Sequence, residues 1–312
     1  MDALREFEEL IKTEKFDEAV KLLLSQASEN TRLQIERSLS NLEETKKLEG
    51  IWRDLTLLLH FAYTSSTLTK ETDNQSLVSC VIASVNAIKI ANELGMKSLM
   101  PKFMLNASRA LIMMKMKDRA ERMLLEAERV CIELNDHANA ISVYNDLASL
   151  YYEEGRYLEA KSKIESAIKL AMDKISSEIA NSFSIAAEVY VKLGEFENAE
   201  KSYNKAEKML RDLIEKEKSN KFDLALLLSN YSIFRKKLGR YEEAEKMLLE
   251  SLNIFEELEK SDFTFSQFVA TNLRHLGDLY REMKKYSEAE QFYSRSREKF
   301  REIQKRWEVP GG

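Results

Sequence analysis

Apolar residues recur at three- and four-residue intervals along almost the whole chain, and no stretch alternates with period two between turn residues. The pattern predicts helices throughout and no sheet. The expected helices span 2–13, 16–27, 30–47, 51–69, 73–94, 99–114, 117–134, 137–154, 157–174, 177–193, 196–218, 221–238, 241–259, 263–283 and 286–307, fifteen in all. Gly155, Gly194 and Gly239 follow three of them, where a residue able to take positive φ ends a helix. Asn135 and Asp136 offer a turn and then a cap, and Pro101 suits a first helical turn. The last residues, 308–312, read as a frayed tail.

The pattern also repeats at longer range. The chain reads NDLASLYYEEGRYLEAKSKIESAIKLA from Asn145, SIAAEVYVKLGEFENAEKSYNKAEKML from Ser184, SNYSIFRKKLGRYEEAEKMLLESLNIF from Ser229 and RHLGDLYREMKKYSEAEQFYSRSREKF from Arg274. Superposing these segments aligns the aromatics Tyr157, Phe196, Tyr241 and Tyr286, then Ala160, Ala199, Ala244 and Ala289. Large residues follow at Ile164, Tyr203, Leu248 and Tyr293, and small ones at Ala167, Ala206, Ser251 and Ser296. Small residues at Ala148, Ala187, Ser232 and Gly277 in the first helix, with the alanine of the second, allow two backbones to approach closely, and the large residues fill the space beside the crossing. A hairpin of this kind has apolar surface on both sides, so it is stable only when stacked on others.

These positions resemble the tetratricopeptide repeat family, whose pattern is met in order by Leu147, Ala148, Tyr151, Gly155, Tyr157, Ala160, Ile164 and Ala167. The resemblance implies an all-α fold, a right-handed α-solenoid (superhelix) of stacked antiparallel helical hairpins with about fifteen helices. Four repeats from about 141 to 307 match, and a fifth from 102 to 134 matches through Ser108, Ala120, Leu124 and Ala127. The glycines are spaced more widely than the family's usual period, as in the long hairpins of kinesin light chains and bacterial peptide-responsive regulators. Arg235 stands in place of an expected tyrosine, and Lys115 and Lys284 in place of expected glycines. The expected organisation is an N-terminal region of degenerate hairpins over 1–98, which includes Phe16, Ala19 and Leu23, and an array of about five repeats over 99–307. In that array the final helix serves as a cap through Tyr286, Ala289, Tyr293, Phe300, Ile303 and Trp307.

Composition narrows the function. Glycine and proline number only 8 and 2, and charged residues make up 32% of the chain, which excludes collagen-like, proline-rich and most all-β classes. A net charge of -5 gives no general attraction to nucleic acid, so an RNA-binding repeat array is a minor alternative. Cys80 and Cys131 sit in apolar helical contexts and are expected to be buried thiols. His60, His137 and His275 lack partners at metal-ligand spacing, and no glycine-rich phosphate loop occurs. No catalytic residue, metal or cofactor is expected, and neither an export signal nor a membrane span is visible, so a cytoplasmic location is expected.

What remains is binding. Stacked hairpins expose a groove lined by their first helices, suited to an extended peptide or a partner's helix. The expected function is a non-enzymatic interaction scaffold or adaptor, with a peptide-responsive sensor acting through another protein as the second reading. The candidate groove residues are Lys102, Arg109, Asn145, Ser149, Tyr152, Asn181, Glu188, Asn230, Lys236, Arg274, Asp278 and Arg281. The full stripe has five cations (Lys102, Arg109, Lys236, Arg274, Arg281) and two acids (Glu188, Asp278), which favours a segment carrying some acidic residues. If Asp278 neutralises Arg274 and Arg281, then Lys102, Arg109 and Lys236 are left as free charges. The family's carboxylate clamp is not met, since Asn230 alone coincides with it.

Overall fold

The computed structural model describes residues 2–69, 72–171, 174–217 and 221–308. They form α1 (Asp2–Lys12), α2 (Phe16–Gln26), α3 (Glu29–Ser40), α4 (Gly50–Leu68), α5 (Asn74–Glu93), α6 (Met100–Met113), α7 (Lys117–Leu134) and α8 (His137–Glu153). These are followed by α9 (Tyr157–Leu170), α10 (Ser177–Leu193), α11 (Phe196–Glu217), α12 (Lys221–Lys237), α13 (Tyr241–Glu259), α14 (Ser266–Glu282) and α15 (Tyr286–Glu308). No strand occurs among the described residues. Three short 3-10 turns, Leu42–Lys47, Lys97–Leu99 and Phe263–Phe265, complete the order. Two segments expected as single helices are divided. Asn41 is extended and its Oδ1 accepts from the Glu43 amide at 3.1 Å, which ends α3 early. Asp262 caps the Thr264 amide at 2.8 Å, so α14 starts after a tight turn.

The chain forms two compact units, 1–155 and 156–312. This division follows compactness, whereas the boundary expected at 98/99 follows the clarity of the repeats. In the first unit α4 pairs with α5 and α6 with α7, with α5 packed on α6 and α7 on α8. In the second, the hairpins α10/α11, α12/α13 and α14/α15 stack so that α12 touches both α10 and α14. Their first helices therefore line one face.

The small residues sit where close crossings require them. Ala148, Ala160, Ala187, Ala199, Ser232 and Ala244 have no exposed surface. A methyl group on Gly277 would lie 2.6 Å from Cδ1 of Tyr293, so only glycine leaves room for that ring. Where the later repeats have serine instead of alanine, the hydroxyl bonds across the hairpin: Ser251 Oγ donates to the Ala225 carbonyl at 2.6 Å and Ser296 Oγ to that of Ala270 at 2.7 Å. A buried hydroxyl thereby finds an acceptor.

Lys115 and Lys284 adopt φ of 62° in the turns where the repeat pattern has glycine. A side chain in the left-handed region costs roughly 1 kcal/mol. Lys284→Gly is therefore expected to raise stability by about 0.5 to 1 kcal/mol, net of glycine's greater freedom in the unfolded chain. Urea denaturation checks this, and an unchanged or lower midpoint refutes it.

The apolar stripe of the final helix is only partly covered. Ala289 is buried and Tyr293 and Ile303 are half-buried, but Tyr286 and Phe300 are exposed; the side chain of Trp307 and the tail residues 309–312 lie outside the described residues. The cause lies in the stacking. Phe255, which corresponds to Phe300 one hairpin earlier, is covered by Phe268 of the next first helix at 5.3 Å between ring centres and is 1% exposed. Among the described residues no hairpin follows α15.

Candidate functional site

The first-helix face of the second unit contains a cleft of about 340 Å³ between α10 and α12. Asn181, Ser184, Ile185 and Glu188 project from α10, and Asp223, Leu226 and Asn230 from α12, with Leu210 of α11 in the floor and Glu178 at one end. Each helix contributes residues three or four apart, which places them on one face. Asn230 Nδ2 donates to Glu188 Oε1 at 2.7 Å and fixes one side of the cleft. Asn181 and Leu226 are exposed, so an amide and an apolar side chain are both open to a ligand.

The cleft is acidic. Burial raises the pKa of the Glu188 carboxyl, with the Asn230 hydrogen bond and the charge of Lys192 opposing it. Burial also raises that of Asp223, and the neighbouring Glu178 carboxylate adds to the effect. Ionised carboxylates held in such surroundings are stabilised by an incoming positive charge.

Several cations of the expected stripe are paired in the structure. Each of the three cations expected to be free has a partner: Lys102 Nζ lies 2.9 Å from Glu14 and donates to the Lys12 carbonyl at 2.9 Å, while Lys236 pairs with Glu282 at 3.0 Å. Arg109 makes two bonds to Asp146, at 2.7 and 3.3 Å. The Asp146 carboxyl is raised by burial, against which Arg109 acts to keep it ionised. Further along, Arg281 reaches Asp278 at 3.7 Å, but that carboxylate also accepts from the Tyr293 hydroxyl at 2.7 Å, and Arg274 forms no ion pair among the described residues.

Asn145 is buried at 3% exposure, so it belongs to the packing rather than to an open surface; Ser149 and Tyr152 are half-buried. Of the twelve candidates, the cleft brings together Asn181, Glu188 and Asn230. Sequence reasoning missed Glu178 and Asp223, because acids in the first turn of a helix read as complements to its dipole. A signal was present: the two lie 45 residues apart, the same offset that relates Ser184 to Ser229 in adjacent repeats. His275 sits on the same face of α14, with Nδ1 3.3 Å from Ser229 Oγ, and its pKa is lowered by burial and by Arg274.

Both cysteines are buried, and burial pushes the Cys131 thiol up to about 12. Such a thiol is not a nucleophile at neutral pH. No helix among the described residues is long and apolar enough to cross a membrane.

Models of the tetratricopeptide repeat match residues 141–173, 180–209 and 223–302. No curated protein matches the chain in sequence. Among solved structures, the apo form of RapI is similar with a TM-score of 0.64 at 14% identity, over 97% of this chain and 98% of that one. BtubC (BKLC) from P. vanneervenii gives 0.63 at 20% identity, over 76% and 94%. The apo quorum sensor NprR from B. thuringiensis gives 0.59 at 18%, over 94% and 76%. At these identities the likeness is one of fold, that of a helical-repeat solenoid. With the recurring small and aromatic positions packed as the repeat requires, residues 141–173, 180–209 and 223–302 are tetratricopeptide repeats.

Proposed function

We propose that the chain is a non-enzymatic binding protein that holds an extended peptide or partner segment across the first helices of its second unit. The observation that carries this reading is the α10–α12 cleft, where open amide and apolar side chains adjoin half-buried carboxylates. Amides can bond a peptide backbone, and the apolar side chains Leu226 and Ile233, both exposed, give it area to cover. The acidic lining favours a segment with a basic side chain over the acidic one expected from sequence, since the cations behind that expectation are paired. Support for a peptide ligand comes from fold relatives solved with peptides, NprR with its cognate peptide NprX and a Rap protein with Competence and Sporulation Factor. The same relatives favour the second reading, a peptide-responsive sensor whose output passes through another protein.

The test is fluorescence polarisation against matched basic and acidic peptides. Basic peptides are expected to bind more tightly, and Asn181→Ala with Leu226→Ala to weaken binding about thirtyfold, the loss of one hydrogen bond and one partly buried side chain. Binding of a cation favours the ionised carboxylates. Because burial raises the pKa of Glu188 and Asp223, lowering the pH protonates them sooner than exposed carboxyls, so affinity falls on mild acidification. A preference for acidic peptides, or an affinity indifferent to these substitutions, overturns the proposal.

A further inference from the structure

The outer face of α5 differs from those of the other second helices. The chain is 32% charged, yet residues 74–88 contain no charged residue at all. On α7 the exposed Leu125 and Ile132 alternate with the exposed Arg122 and Arg129, α9 exposes Glu159 and Glu165 beside Leu158, and α11 exposes Lys201 and Lys208, so on these helices charges break up any apolar row. On α5 the exposed positions are Asn74, Gln75, Val78, Ile82, Val85, Lys89, Asn92 and Glu93, and those from Gln75 to Lys89 form one row. Their spacing is 3, 4, 3, 4, which is the seam of a coiled coil. Val78, Ile82 and Val85 are 41%, 55% and 47% exposed, although α5 already packs on α4 and α6 through its other faces. Branched aliphatic residues at exposed helical positions lower helix propensity and give nothing in return unless something covers them. Their few rotamers also make them inexpensive to immobilise.

We propose that this seam pairs with the same seam of a second copy of the chain, in antiparallel orientation. The charges at its ends select both the partner and the direction. Lys89 stands at the C-terminal end and the cap carboxylate Asp73 at the N-terminal end, where hydrogen bonds from Ser76 keep its pKa low and the group ionised. Parallel pairing would set Lys89 against Lys89. Antiparallel pairing places Ile82 against Val78 and Val85 against Gln75, and brings Lys89 to within about 3 Å, along the axis, of the level of the partner's Asp73. An uncharged seam also avoids the repulsion that two chains of net charge -5 would meet elsewhere on their surfaces.

The seam is about 21 Å long, so the area it covers is below the roughly 1,200 Å² of a stable complex. The dimer is therefore weak, with a dissociation constant on the order of 100 µM, and it doubles the number of clefts presented to a partner.

Analytical ultracentrifugation of the full chain, from about 5 µM to about 1 mM, is expected to show reversible dimerisation. Ile82→Glu should raise the dissociation constant more than tenfold with an unchanged thermal melt, because the position is already half in water. Lys89→Glu should weaken the dimer to a smaller extent by placing two acids together. Under mild oxidation a mixture of Val78→Cys and Ile82→Cys chains should cross-link, and each variant alone should not, the native Cys80 and Cys131 being buried. A chain that stays monomeric throughout, an Ile82→Glu variant that dimerises like the parent, or cross-linking of Ile82→Cys to itself in preference to the mixture each overturns the proposal.

Discussion

Glu200→Ala is expected to destabilise the second unit by about 2 to 3 kcal/mol, more than Arg235→Met at about 1 kcal/mol. The difference follows from which charge is buried. Arg235 occupies a position where the repeat pattern has tyrosine, and its side chain is only 8% exposed. Its guanidinium lies over the Tyr231 ring, 4.6 Å from the centre, and donates to that tyrosine's hydroxyl. Glu200 accepts from Arg235 at 2.7 Å and from Arg240 at 2.9 Å. The Nε atom lies 3.3 Å from a Glu243 oxygen but is not aligned to donate to it. Removing Glu200 thus leaves a buried cation with an unaligned carboxylate as its remaining counter-charge, which is the costly way to break such a pair. Removing Arg235 leaves Glu200 partly exposed and still paired with Arg240, and methionine fills much of the vacated space. Urea denaturation of the two variants decides the matter through the order of their midpoints. A larger loss for Arg235→Met would mean that the side chain acts mainly by packing on Tyr231.

Ala199→Leu is expected to cost about 1 to 3 kcal/mol by overpacking the crossing of α10 and α11. Ala199 has no exposed surface, and on α10, which packs against α11, Ala186 and Ala187 are equally buried, so the added carbons have nowhere to go without separating the helices. Leu158→Ala is the matched control. That leucine is 73% exposed on α9 and its truncation should change stability by less than about 0.5 kcal/mol. A neutral Ala199→Leu would show that the hairpin register deduced from the repeats is wrong.

That register was legible because it is local. Helix periodicity, the left-handed ends at Gly155, Gly194 and Gly239, and the close-packing positions at Ala160, Ala199, Ala244 and Ala289 all depend on residues within one hairpin, and all are realised. The first-helix face was legible for the same reason. A residue three or four positions from another on a helix shares its face whatever the helix packs against.

The electrostatics of that face were not legible, because they depend on which residues other elements bring to it. Lys102 is neutralised by Glu14 from the turn between α1 and α2, Arg109 by Asp146 on α8, and Lys236 by Glu282 on α14. None of these acids belongs to the stripe counted from sequence. The acidic character of the α10–α12 cleft arises likewise from Glu178 and Asp223, each unremarked in its own helix and acting together only when two hairpins are stacked. Sequence by itself therefore determined the helices, their repeat and which residues share the first-helix face, since short-range sterics and periodicity dictate these. The tertiary structure alone decided the sign of that face, because charge pairing and desolvation depend on distances between residues far apart in the chain.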